Sequence, residues 1–155
     1  MGIEVANELP GMHLKAIGIV RNGIKQPVKQ NWEKVVSDIV INSSLTEALD
    51  GLEEFSHIIV LCWMHRAVAN GEKPIKVHPM GKQELPVVGR LVTRSPSRPN
   101  PVGIATVRLL QRRGNILKVQ GLDAIDGTPV IDIKPYIPGY DSASNVKVPP
   151  WITNQ

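Results

Sequence analysis

Cysteine is almost missing from this chain: one residue, Cys62, in 155. A single cysteine excludes an internal disulfide and agrees with a reducing cytoplasm. Aromatic residues are scarce too, with three Trp, two Tyr and one Phe, which excludes a ligand surface built on many stacked rings. The longest apolar run, Ile58 to Met64, has seven residues, far fewer than a membrane span needs. The opening residues, M-G-I-E-V-A-N-E-L-P, have neither the basic start nor the apolar stretch of a signal peptide. A soluble, cytoplasmic protein is therefore expected. Helical periodicity is nearly absent and no glycine-rich turn opens a helix, so a doubly wound α/β nucleotide-binding fold is excluded. The excess of 18 Lys and Arg over 14 Asp and Glu is modest; it suits an anionic partner without pointing by itself to nucleic acid.

What is present is 13 glycines, 13 prolines and a series of short apolar runs. The patterning predicts strands at His13–Val20, Asp38–Asn42, Ser56–Met64, Val87–Val92, Val102–Leu110, Ile116–Gln120 and Val130–Lys134. Ser44 followed by Glu47 reads as a capping box for one short helix over Leu45–Asp50, stopped by Gly51. The expected fold class is all-β: a small β-barrel of about six or seven strands with one short helix and long loops. The length fits a single domain over residues 1–155, with a core at about 14–141 and no additional C-terminal domain.

One stretch organises the rest. Between the runs Val87–Val92 and Val102–Leu110 lies R-S-P-S-R-P-N-P, in which Pro96, Pro99 and Pro101 fix φ and hold the preceding residues extended. This makes a stiff loop presenting Arg94, Ser95, Arg98 and Asn100, with little chain entropy left to lose on meeting a small polar ligand. Asp123, Asp126 and Asp132 match no calcium-loop spacing, so no metal site is expected. Cys62 sits inside an apolar run and reads as a buried, inert thiol.

Three blocks carry a family resemblance. T-R-S-P-S-R-P-N-P-V-G at Thr93–Gly103, G-L-D-A-I-D-G-T-P at Gly121–Pro129 with its continuation to Asp141, and F-S-H-I-I-V-L-C-W-M-H-R at Phe55–Arg66 resemble the signatures of the TsaA-like (TrmO-type) family of S-adenosylmethionine-dependent tRNA methyltransferases. The resemblance implies a β-barrel, S-adenosylmethionine as cofactor, tRNA as partner and a homodimer whose site lies near the subunit boundary. It implies cofactor contacts from His65, Arg66, Arg94, Ser95 and Asn100, and from Leu122, Asp123, Ile125, Asp126, Gly127 and Thr128. Lys29 and Gln30 are the nearest match to a further Pro-Arg-Gln-type segment, from which Pro27-Val28-Lys29-Gln30 departs. Within the second block Asp126 is expected to hold the donor, with Leu122 and Ile125 packed on its adenine. Arg94 and Arg98 suit either the methionine carboxylate or an RNA phosphate, because a guanidinium fork serves both, and Arg98 is the one expected to face RNA. Methyl transfer needs alignment, exclusion of water and, for a weak acceptor, loss of a proton; no nucleophile with a paired base is visible, and no catalytic residue is assigned. The acceptor implied is the exocyclic amine of threonylcarbamoyladenosine beside the tRNA anticodon. The alternatives are another RNA site, a small molecule, or a non-catalytic S-adenosylmethionine-binding module.

Overall fold

The structure is a computed structural model that describes residues 2–3, 8–27, 31–69 and 74–152. Six strands close into a barrel: β1 (Gly18–Arg21), β2 (Val36–Ile41), β3 (His57–Trp63), β6 (Val102–Arg113), β7 (Ile116–Gln120) and β8 (Pro129–Pro135), in the order β1-β2-β7-β6-β3-β8. Every neighbouring pair is antiparallel, and the ring is sealed where β1 meets β8 at Gly18↔Val130 and Ile19↔Pro129. Two further short strands, β4 (Lys76–Val77) and β5 (Val88–Gly89), form a separate hairpin. One four-residue α-helix, α1 (Pro138–Asp141), follows β8. The expected fold class is what the chain adopts.

Alternation builds the core. Val20, Ile39, Ile58, Val60, Leu117, Val119 and Val130 are fully buried inside the barrel, and the residues between them face outward. Two irregularities adjust that alternation. Between Leu61 and Cys62 the register on β8 jumps from Asp132 to Val130, so an extra residue lets both Val130 and Ile133 pack inward. Between Leu109 and Gln111 on β6 a second bulge places Arg112 opposite the buried Leu117. Arg112 there donates to Thr46 O (3.0 Å), Asp50 (2.8 Å) and Glu53 (3.2 Å), clamping the segment after β2 under the lower end of the barrel.

Several expected boundaries move. The first strand pairs only from Gly18, because residues before Ile17 run along the outside of the barrel instead of joining a ladder. The segment after β2 is a run of 3₁₀ turns, Ser43–Leu49, in place of a short α-helix, and its cap is Asn42, which accepts from Ser44 N at 3.0 Å. Of the run Val87–Val92 only Val88 and Gly89 are strand. Arg90–Val92 turns away, closed by Thr93 N donating to Arg90 O.

Candidate functional site

β1, β3 and β7 end, and β2, β6 and β8 begin, at one rim of the barrel. The loops joining them converge there around a cavity of about 380 Å³, inside the range usual for small-molecule pockets. The β3 exit contributes Met64, His65, Arg66 and Ala67; the proline-rich loop contributes Arg94 and Pro96. The β7–β8 loop adds Asp123, Ala124, Ile125 and Thr128, and the β1–β2 loop adds Pro27 and Trp32. Residues from all three sequence blocks thus meet at one place, although they lie far apart along the chain.

Each group is held by an identifiable contact. Met64 N donates to Pro101 O (2.8 Å) and Ala67 N to Met64 O (2.9 Å), which fixes the turn carrying His65 against the proline-rich loop. Gly103 makes this packing possible, since a Cβ there would lie 3.2 Å from Cys62 Sγ and 3.4 Å from Met64. Thr128 Oγ1 donates to Ile125 O (2.7 Å), rounding the β7–β8 loop over the cavity. The proline-rich loop is tied down by Arg90, whose guanidinium donates to the carbonyls of Pro74 and Ser97 and to Ser97 Oγ. Arg98 closes the same loop on itself through Thr93 O at 2.8 Å.

Two electrostatic features mark the cavity as a polar binding site. Nδ1 of His65 is buried with no hydrogen-bond partner among the described residues. An unpaired buried polar atom costs roughly 1–3 kcal/mol, a cost the fold carries in the wall of this cavity. Partial desolvation pushes the Asp123 carboxyl above its ordinary value. Beneath it Cys62, 4% exposed, has its thiol pushed up to about 11, first by burial and then by the Asp123 charge. The thiol is protonated and inert at neutral pH, as expected. Arg66, Arg94 and Asp123 therefore give the cavity two cationic groups and one anionic group, the complement of a ligand carrying both a carboxylate and an ammonium. The residues fit S-adenosylmethionine on these grounds.

Of the residues named from the sequence, His65, Arg66, Arg94, Asp123, Ile125 and Thr128 line this cavity. The others go elsewhere. Leu122 is fully buried in the barrel core, so it supports the loop from below and packs on no ligand. Asp126 turns away from the cavity: its carboxylate accepts from Asn22 N (3.0 Å), Gly23 N (3.3 Å) and Lys25 Nζ (2.5 Å) and is held down at about 2, chiefly by Lys25 and then by the Asn22 amide. It braces the β1–β2 turn against the β7–β8 loop. Gly127 takes a left-handed φ of +82°, and its N donates to Val20 O as part of that brace. Asp132 pairs with Lys134 at 2.8 Å on the outside of β8. Ser95 lines a second, larger cavity, and Asn100 lines a groove on the barrel's outer face. Lys29 and Gln30 lie outside the described residues. Patterning did not reveal Trp32, Met64 or Arg90. The available signals were a Trp within a polar loop and a lone charge inside the apolar run V-V-G-R-L-V.

The chain is similar to proteins of known sequence and structure. A sequence model of the tRNA-methyltransferase O N-terminal domain matches residues 21–142. A probable S-adenosyl-L-methionine-binding protein of Methanothermobacter thermautotrophicus is 44% identical over 135 residues, covering 84% of this chain and 94% of its own. The mouse tRNA (adenine(37)-N6)-methyltransferase is 44% identical over 103 residues, which is 65% of this chain but only 23% of that enzyme. The crystal structure of TrmO from Pseudomonas aeruginosa has a TM-score of 0.71 at 28% identity, over 89% of this chain and 62% of that one. The likeness extends across all three blocks that build the cavity, and the chain belongs to the family of the tRNA-methyltransferase O N-terminal domain.

Proposed function

We propose that this protein is an S-adenosylmethionine-dependent tRNA methyltransferase of the TrmO type, acting on the exocyclic amine of threonylcarbamoyladenosine beside the anticodon. The carrying observation is the convergence of His65, Arg66, Arg94 and Asp123 on one rim cavity. S-adenosylmethionine supplies, when bound, an electrophilic methyl group on a positively charged sulfur. The residues' part is to bind and align. Arg66 and Arg94 present guanidinium groups suited to the amino-acid carboxylate, and Asp123 accepts from the ammonium or a ribose hydroxyl. Trp32, Met64 and Ile125 offer apolar surface for the adenine, while Pro27, Ala67 and Pro96 keep water from the reacting centre. The adenosine-37 acceptor is supported by the similarity to the mouse tRNA (adenine(37)-N6)-methyltransferase.

A homodimer is part of this reading. On the barrel's outer face a groove of about 550 Å³ runs between the N-terminal segment and Trp63, Val102 and Ile131. Around it Met12, Leu14, Ile19 and Ile104 are exposed, an apolar surface of the kind that subunit contacts cover. Among the described residues no helix is long and apolar enough to cross a membrane. The reading places the protein in the cytoplasm.

The test is transfer of labelled methyl from S-adenosylmethionine to tRNA that carries or lacks the threonylcarbamoyl group, followed by nucleoside analysis. Label in the modified nucleoside alone is expected. Label in both would make plain adenosine the acceptor, and label in neither, with the cofactor still bound, would make the chain a binding module.

A further inference from the structure

A second cavity, about 710 Å³, lies on the other side of the proline-rich loop from the cofactor cavity. Prolines keep that loop extended, and an extended chain sends alternate side chains to opposite sides. Thr93, Ser95 and Ser97 face the larger cavity, Pro96 faces the smaller, and Arg94 lines both. The loop is thus a partition one strand thick, with Arg94 at the edge the two cavities share. The far wall of the larger cavity comes from Val77, His78 and Pro79 of the hairpin and from Trp151 of the C-terminal tail.

The chemistry of this second cavity is that of a base-binding slot. Trp151 offers an aromatic face, and Val77, Val92, Pro79 and Ile152 give apolar walls. Nδ1 of His78 lies 2.8 Å from Leu85 O. A carbonyl only accepts, so Nδ1 carries the proton and Nε2 of the neutral ring is left as an acceptor. Arg90, 7% exposed, already spends its Nε and Nη1 on the carbonyls of Pro74 and Ser97, which withdraws those two donors from a ligand.

The base receiving the methyl group must reach the cofactor cavity, and the backbone of Thr93–Ser97 stands between the two. Resting on the tRNA reading above, we infer that the larger cavity takes an unstacked base adjacent to the methyl acceptor in the anticodon loop, stacked on Trp151, so that the RNA straddles the proline-rich loop. Single-stranded loops are where proteins splay bases onto aromatic side chains, and losing such a stack costs about tenfold or more in affinity.

The test is binding of an anticodon stem–loop, intact or with one abasic residue on either side of the acceptor, to wild type, Trp151→Ala and Trp151→Phe, with S-adenosylmethionine binding measured on each. One of the two abasic substitutions should weaken wild-type binding about tenfold, Trp151→Ala should match that loss, and the two together should add little. Trp151→Phe should stay near wild type, and cofactor affinity should stay within twofold throughout. Indifference of wild type to both abasic sites, an abasic effect that persists in full in Trp151→Ala, or failure of wild type to bind the stem–loop overturns the inference. Base-dependent binding without methyl transfer would instead retain this slot and remove the proposed reaction.

Discussion

Asp123 and Asp126 show how much three residues of separation decide. Both are carboxylates in the L-D-A-I-D-G-T-P block, yet one faces the cavity and the other is enclosed by two backbone amides and Lys25. The Asp126 carboxyl is held at about 2 against an ordinary value of 3.8, so its contribution to stability is fully present above the ordinary value and is lost as pH falls toward about 2. Urea denaturation from neutral pH down through that window should show Asp126→Asn less stable than wild type at neutral pH, with the gap closing as the pH drops. A gap independent of pH would remove the charged brace from this account. Composition could show that the block held acids at a turn. Which acid was free depended on Asn22 and Gly23, some hundred positions earlier, arriving beside Asp126 when β1 closed on β8.

Among the elements, the strands were the readable part, because two-residue alternation is local. β7 and the start of β6 lie where the apolar pattern puts them, and β3 is one residue shorter at each end. The errors share a cause: a β-rich run becomes strand only where a neighbour offers a ladder. His13–Ala16 meets none, and the chain turns away after Arg90, whose N still donates to Ile75 O across the hairpin while its buried guanidinium holds the carbonyls of Pro74 and Ser97. The β1 seam is also tight. A Cβ on Gly18 would sit 2.6 Å from Val40 O, an atom of the paired backbone that cannot rotate away. Gly18→Ala should therefore cost about 1–3 kcal/mol of unfolding free energy in chemical denaturation, through overpacking. A neutral result would mean the seam can open without loss.

At the scale of the whole molecule, a closed barrel provides a rigid ring, and all of the proposed chemistry sits in loops at one rim. The outer face opposite neither rim is where a second copy is expected, over Met12, Leu14, Ile19 and Ile104. Light scattering should give twice the 17.0 kDa of one chain, and Ile104→Glu should shift it to the single-chain mass while the barrel stays folded. A wild-type mass of one chain would leave that apolar surface without its proposed partner.

The rim cavity, with Asp123 as its carboxylate, is where S-adenosylmethionine is expected to bind. Calorimetric titration of the cofactor into wild type, Asp123→Ala and Asp126→Ala tests it most directly. One site per chain is expected in wild type, with affinity lowered about tenfold or more in Asp123→Ala and changed less than about twofold in Asp126→Ala. Loss of binding in Asp126→Ala with Asp123→Ala unaffected would contradict the assignment, and no heat in wild type would contradict the site itself.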